Sequence, residues 1–375
     1  MGGDTLVEYK FPMRDGEVVI KPKPDLRILY IELTTRCNLA CDMCFKQHWM
    51  DVEGDMDHNL FLKILDDAGH LPELKTIVFG GIGEPTVHPR FEEMVYETVG
   101  RGYKLYLTTN GLYLSEKKFT GLAEIGISGI YFSIDAVPGV ETRFQHIGSR
   151  RVVEIIKSLV SWRRSRGSYE PLIGVEVVVT RANYSMIPTL VRNLREIGVD
   201  EVIISNILPV SQAHKDDIVY DGSTGHEDLV ERLESEAHRG IKIRIPSFQV
   251  KTERKCLFDE ARAAVIRWDG EVVPCYRFLH TYREFVLGRE KIVKAHSFGN
   301  VKNRSLKDIW MSREYSFFRF ITRNYYYPSC TDCRLNTSCD FVNSTEQDCW
   351  GNTPSCADCL WARDIVQCPI PSEPF

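Results

Sequence analysis

The sequence lacks the features that would tie it to a membrane, to export or to nucleic acid. No apolar run approaches the roughly 18 residues of a membrane span. The opening stretch, MGGDTLVEYKFPMRDGE, holds no apolar segment of signal-peptide length. Lys and Arg number 47 against 52 Asp and Glu, a net charge of -5, so no overall basic field draws the chain onto nucleic acid or an acidic membrane. There is no phosphate-binding P-loop, no dinucleotide GxGxxG fingerprint and no GxSxG serine elbow, which removes three large enzyme classes. Cysteine is missing altogether between Cys44 and Cys256. The expectation is a cytoplasmic chain with no nucleic-acid and no membrane partner.

What is present is cysteine in clusters: twelve in all, with three between Cys37 and Cys44 and nine from Cys256 onward. At 375 residues the chain is long enough for two unequal domains, and its 43% hydrophobic and 26% charged residues are ordinary for a folded protein. A core of that size needs no disulfide staples. In a reducing compartment, clustered cysteines read as metal ligands or redox groups.

From residue 26 to about 210, short aliphatic runs alternate with longer amphipathic stretches, the pattern of repeated β-α units around a parallel sheet. Strands are expected at 28–34, 76–79, 104–108, 129–134, 173–179 and 201–205, with helices at 59–68, 90–99, 115–125, 151–162 and 187–197. Gly69, Gly100, Gly126 and Gly198 are placed as left-handed helix stops. The fold class is α/β, a partial six-unit barrel of the TIM type or an open doubly wound sheet, followed by a C-terminal cysteine-rich domain. The segments are 1–25, an N-terminal extension; 26–210, the core; 211–250, a linker with a helix at 227–239 and a short strand at 241–245; and 251–375, the cysteine-rich domain. Within the last, 265–275 reads as a hairpin turning at Asp269-Gly270. Residues 330–369 have too little periodic hydrophobicity to form a core unaided, so metal is the natural support.

Cys37, Cys41 and Cys44 follow the first strand with spacing C-x3-C-x2-C. Three thiolates on one loop can hold three irons of a four-iron cluster and leave the fourth open to a substrate. A zinc site completed by His48 is the other reading. In β/α folds reactive groups collect where strands end. Here every expected strand ends in polar or glycine-rich residues: Gly80-Gly81-Ile82-Gly83-Glu84-Pro85, Thr108-Thr109-Asn110-Gly111, Ser133-Ile134-Asp135, Thr180 and Ser205-Asn206. Together with the triplet, that is more than turn preference requires.

The triplet with these strand ends resembles the radical S-adenosylmethionine (SAM) enzymes. The resemblance implies that Cys37, Cys41 and Cys44 hold a four-iron cluster whose open iron chelates SAM, and that reductive cleavage yields a 5'-deoxyadenosyl radical. It also implies cofactor contacts from Gly80, Gly81, Gly83, Glu84 and Pro85, with Glu84 as the polar handle, and from Asn110, Ser133 and Asp135. The chain departs from the family pattern at Met43, where an aromatic is usual, and at Ile82, which interrupts the glycine run.

The remaining cysteines are Cys256, Cys275, Cys330, Cys333, Cys339, Cys349, Cys356, Cys359 and Cys368. Two fully ligated four-iron clusters use eight of these nine; a pair of zinc ribbons would also suit Cys330-x2-Cys333 and Cys356-x2-Cys359. The arrangement is similar to the SPASM extension of radical enzymes, which implies one or two auxiliary four-iron clusters and a ferredoxin- or flavodoxin-type electron donor. Asn343 stands where that pattern expects a cysteine, which Cys349, Cys356, Cys359 or Cys368 could replace. Within the family, the runs 79–86 and 359–363 are most similar to maturases of the pterin-based (molybdopterin-type) cofactor of tungsten-containing aldehyde ferredoxin oxidoreductase, which implies that oxidoreductase or its cofactor as partner. A peptide- or protein-modifying maturase and, in another class, a non-catalytic iron-sulfur carrier or zinc scaffold are the alternatives. Arg163, Arg164 and Arg166 read as a solvated helix end, His88 and His146 as surface, core or pocket residues, and the run 325–328 as packing around the C-terminal lobe.

Overall fold

The computed structural model describes residues 7–13, 15–134, 148–222, 225–368 and 371. Strands β1 (Tyr9–Met13) and β2 (Gly16–Ile20) make a separate antiparallel hairpin. Six strand-helix units follow. They are β3 (Ile28–Glu32) with α1 (His58–Ala68), β4 (Thr76–Gly80) with α2 (Phe91–Gly100), β5 (Lys104–Thr109) with α3 (Glu116–Ile125), β6 (Gly129–Ser133) with α4 (Ser149–Ser165), β7 (Leu172–Val179) with α5 (Ile187–Ile197), and β8 (Glu201–Asn206) with α6 (Glu227–Ala237). Neighbouring strands in this run are parallel, as in Leu29 opposite Ile77 and Phe132 opposite Val175.

The sheet does not stop at six strands. β9 (Lys242–Arg244) extends it in parallel beside β8. Beyond α7 (Leu257–Glu260), β10 (Ala263–Ile266) returns to pair in parallel with β3, and β11 (Val272–Val273) closes the expected Asp269-Gly270 hairpin. The order is β11-β10-β3-β4-β5-β6-β7-β8-β9, open at both edges. Thus the stretch read as a linker supplies one edge, and the cysteine-rich segment supplies the other. A second hairpin, β12 (Tyr282–Val286) with β13 (Arg289–Val293), and helices α8 (Leu306–Trp310) and α9 (Arg313–Arg323) complete the chain's regular elements among the described residues.

Strand sequences such as ILYIE and TIVFG are buried at every position because both faces of a parallel sheet are covered. Alternate side chains divide between two cores. Leu29, Ile31, Ile77 and Phe79 face the helices, whereas Ile28, Tyr30, Val78 and Tyr106 pack on the other face against Phe258, Tyr276, Leu279 and Cys368 of the C-terminal segment. Of the four expected glycine stops, Gly126 (φ 102°) and Gly198 (φ 107°) are left-handed. Gly69 is right-handed, and Gly100 lies inside α2, whose chain turns instead at Gly102 (φ 85°).

Arg163 corrects a second expectation. Its side chain is buried at the end of α4, where the guanidinium forks onto Asp200 (3.1 Å to Oδ1) and donates to the Pro171 and Gly198 carbonyls. Arg163 therefore ties α4 to the β7 and β8 edges rather than facing water. Arg163→Met should cost about 2 kcal/mol, chiefly because it leaves the buried Pro171 carbonyl and the partly buried Gly198 carbonyl without this donor, while the partly exposed Asp200 keeps the Ile173 amide. Urea unfolding of the two proteins at equal m-value measures this, and an unchanged midpoint would refute the clamp.

Candidate active site

A cavity of about 340 Å³ opens where β3–β8 end. Cys37, Cys41 and Cys44 enter it from the loop after β3. Gly81, Ile82, Gly83 and Glu84 reach it after β4, Thr108 to Asn110 from β5, Ser133 from β6, and Ser205 and Asn206 from β8. Met43 lines it beside the thiols. Gly80 and Pro85 sit behind the lining rather than in it, Thr180 is buried away from it, and Asp135 and His146 lie outside the described residues. His88 is a core residue: Nε2 bonds to the Met56 carbonyl, and Nδ1 accepts from the Arg90 amide.

The glycine-rich loop is seated on the backbone that leads into the triplet. A Cβ at Gly83 would stand 2.2 Å from the Thr34 carbonyl oxygen and 2.8 Å from that of Arg36, so only glycine allows the approach. At the next residue the Glu84 amide donates to the Arg36 carbonyl at 2.8 Å. The Glu84 carboxylate is buried and accepts hydrogen bonds through both oxygens. It accepts from the Thr86 amide and hydroxyl (3.1 and 2.6 Å), the Thr109 hydroxyl (2.7 Å) and the Asn110 amide (2.7 Å). Burial pushes its acidity weaker than an ordinary glutamate, and those four donors oppose the shift. Asn110 in turn donates from Nδ2 to Asn38 Oδ1 at 2.8 Å and lies 3.8 Å from Cys37 Sγ. The strand-end motifs thus act through one connected framework around the thiols.

Two further supports come from the C-terminal half and went unread in the sequence. The Gly81 amide, at φ 109°, donates to the Tyr276 hydroxyl at 3.0 Å. Glu32, buried at the end of β3, accepts from the Ile82 amide and, through both oxygens, from His280 Nε2 at 3.0 Å, while His280 Nδ1 lies 3.0 Å from Asp51. An acid closing an otherwise apolar strand was the available signal for Glu32; nothing local marked His280. The roof of the cavity is also C-terminal: Trp361, Val366 and Gln367 line it, held by the Gln367 amide to Ser205 and the Asn206 amide to the Ile365 carbonyl.

All twelve cysteines are free thiols. Burial pushes the Cys37 thiol up and the Cys44 thiol up to about 11, so an electropositive occupant would be needed to draw off their protons. Among the described residues no three His, Cys, Asp or Glu side chains converge on a single metal ion.

The nine later cysteines fall into two groups. Cys256, Cys275, Cys356, Cys359 and Cys368 line one small cavity, about 40 Å³, under α7 and α9. Cys330, Cys333, Cys339 and Cys349 gather elsewhere. Cys330 and Cys339 pack together with Val342 and Ala357, the Cys330 thiol feels Cys349 and Cys333, and the Cys349 thiol feels Cys339 and Cys333. Asn343 only ends a short 3-10 turn (Asp340–Asn343), and Cys349 is the residue that joins this group.

Residues 31–164 match the radical SAM superfamily model and residues 256–334 the SPASM iron-sulfur cluster-binding domain. The chain is 57% identical, over 93% of its length and 99% of the relative's, to the tungsten-containing aldehyde ferredoxin oxidoreductase cofactor-modifying protein of Pyrococcus furiosus. The chain belongs to the radical SAM superfamily. The PqqA peptide cyclase of Gluconobacter oxydans is 26% identical, over 80% of each chain. Solved structures share the fold of this radical SAM protein. Streptococcus suis SuiB bound to S-adenosylmethionine superposes at TM-score 0.56 and 17% identity, over 84% of this chain and 72% of that one. The anSMEcpe protein with bound AdoMet and the Cp18Cys peptide does so at 0.54 and 15%, over 84% and 87%. As a radical SAM enzyme with a SPASM domain, the chain is of a type that carries four-iron clusters and binds SAM.

His280 supplies the pH test. Burial lowers its basicity, but its hydrogen bonds to Asp51 and Glu32 more than offset that, so its pKa in the fold stands above the ordinary 6.5. The stability it contributes is therefore full below about pH 6.5 and is lost as pH rises through the raised folded value. His280→Gln should lower stability by about 2 kcal/mol on the acid side of that window, with the gap closing at alkaline pH. A wild-type-minus-variant difference that stays flat from acid to alkaline pH would exclude the imidazolium.

Proposed function

We propose that this radical SAM enzyme matures the pterin-based tungsten cofactor of an aldehyde ferredoxin oxidoreductase, with Cys37, Cys41 and Cys44 holding the four-iron cluster that binds SAM. The observation that carries the site assignment is the sharing of one cavity by three free thiols and the strand-end framework. The donor set fits the group. Three thiols face the cavity, His48 is not among the residues that line it, and the Glu84 oxygens are already occupied. Protein ligation therefore leaves one iron open. When bound, the cluster and SAM supply one-electron cleavage of the sulfonium and abstraction of a substrate hydrogen atom.

The chain's own part is placement. Gly81, Ile82 and Gly83 present backbone to the methionine end of SAM. Ser133 and Asp135, at and beyond the end of β6, are assigned to the ribose, and Gly80 and Pro85 shape the glycine loop from behind. Asn110 and the Leu39 amide, 3.4 Å from Cys37 Sγ, direct N–H groups at that sulfur and so favour its thiolate. Trp361, Phe45 and Val366 give the cavity apolar walls against bulk water. Cys330, Cys333, Cys339 and Cys349 are assigned to one auxiliary four-iron cluster, and four of Cys256, Cys275, Cys356, Cys359 and Cys368 to a second. A cytoplasmic setting and a ferredoxin- or flavodoxin-type donor suit twelve free thiols and a reductive reaction.

The substrate assignment rests on the relative at 57% identity. Enzyme purified without oxygen and reduced with dithionite should release 5'-deoxyadenosine from SAM, and Cys41→Ala should reduce this to the buffer background. Iron should approach about twelve atoms per chain; four irons with zinc in place of the rest would sink the auxiliary clusters. Deuterium passing into 5'-deoxyadenosine from labelled tungsten-pterin cofactor supports the assignment. Transfer from a labelled peptide instead would replace it with the peptide-maturase reading.

A further inference from the structure

The walls of the five-cysteine cavity carry polar groups that the protein leaves unused. Arg277 follows Cys275 by two residues and is almost completely buried. Only one of its nitrogens is engaged: Nη2 pairs with Glu284 and, at 3.0 Å, with Asp358. Its Nε and Nη1 are buried with no partner. The hydroxyls of Tyr315 and Tyr327, which line the same cavity, are likewise buried and unpartnered. Four orphaned donor atoms around one small space are costly unless an occupant accepts from them. Thiols alone are weak acceptors; the sulfides and thiolates of an iron-sulfur cluster are strong ones.

The charge around Arg277 points the same way. Asp358, fully buried, is shared by Arg277, Arg289 (3.2 Å) and Lys291 (2.8 Å), and Glu284 is the only other carboxylate in the group. Three cations against two anions leave one positive charge in a group whose members, apart from the partly exposed Arg289, are buried. Arg277 is the member of this group that lines the cavity.

We propose that Arg277, seconded by Tyr315 and Tyr327, donates to the sulfur atoms of the auxiliary cluster in this cavity and raises its reduction potential. This rests on the proposed ligation of a cluster by the surrounding cysteines. The reduced cluster carries one more negative charge than the oxidised form. A buried cation and N–H···S or O–H···S bonds therefore favour the reduced form. Arg277 is a positioning and tuning residue, not a ligand.

The test is a dithionite titration followed by electron paramagnetic resonance on full-length protein whose triplet carries Cys37→Ala, Cys41→Ala and Cys44→Ala, so that only auxiliary clusters report. Iron near eight atoms per chain would establish the background; near zero, it would refute the ligation reading and this inference with it. With iron retained, Arg277→Gln should make one auxiliary couple at least tenfold harder to reduce, 59 mV for a one-electron couple, and leave the other in place. Arg277→Lys, which keeps the charge, should recover part of the shift. Unmoved potentials in an iron-replete Arg277→Gln protein overturn the proposal. If Arg277→Gln fails to hold iron, the Tyr315→Phe, Tyr327→Phe double variant decides: a lower potential in one couple supports the donors, and an unchanged one overturns them.

Discussion

The buried carboxylate of Glu84 is the constraint on which the site depends. Placing a carboxylate out of water costs several kcal/mol unless each oxygen is met by donors. Here four donors meet it, from the 3-10 turn that follows it and from the end of β5. The amide of the same residue bonds to Arg36, one residue before Cys37. One side chain and its own backbone therefore fix three loops relative to each other, and Gly83 removes the side chain that would keep the two backbones apart. Both of its oxygens accept from protein donors, and through them Glu84 fixes the position of the thiols and the glycine loop.

That framework is incomplete without the C-terminal half. β10 lies against β3 in the central sheet, Tyr276 receives the Gly81 amide, His280 joins Glu32 to Asp51, and the segment from Trp361 to Gln367 roofs the cavity. The inner face of the sheet is covered by Phe258, Tyr276 and Leu279 rather than by core helices. Removing the cysteine-rich segment would expose that apolar face and leave Glu32 buried without its cation. The SPASM-matched region is thus, through Tyr276 and His280, part of the wall and scaffold of the cavity at the strand ends.

The triplet, the glycine loop and the six β-α units were legible because each is a local pattern: a cysteine spacing, a glycine run, an alternation of period. What was not legible depends on partners far along the chain. β9 and the β10–β11 hairpin were expected as short local strands, but their joining the central sheet, β9 beside β8 and β10 beside β3, depends on those distant partners. Arg163 sits in an arginine run that looks solvated, and its burial follows from Asp200, 37 residues on. Glu32 and His280 are 248 residues apart. Gly100 shows the local limit: a glycine near a helix end is a good stop signal, but Gly102, two residues later, could reach the same turn and is the one that takes the positive φ.

The C-terminal cysteines show the same limit in another form. Spacing counted them correctly but could not group them, because their grouping follows the folded path and not the order of the chain. Cys256 and Cys275 stand with Cys356, Cys359 and Cys368 around one cavity, and the intervening Cys330, Cys333 and Cys339 leave to join Cys349. Asp358 lies between Ala357, which packs with Cys330, and Cys359, which lines the other cavity, and it binds Lys291, Arg289 and Arg277. Lys291 and Arg277 overcome the upward push of burial and hold its carboxyl well below the usual range, so it remains an anion throughout physiological pH. A lone apolar core could not organise this segment, whose hydrophobic clusters are small. A charged hub between two sets of thiols can, provided that metal supplies the remaining free energy. The order of that lobe then reaches, through Tyr276 and His280, the cavity at the strand ends.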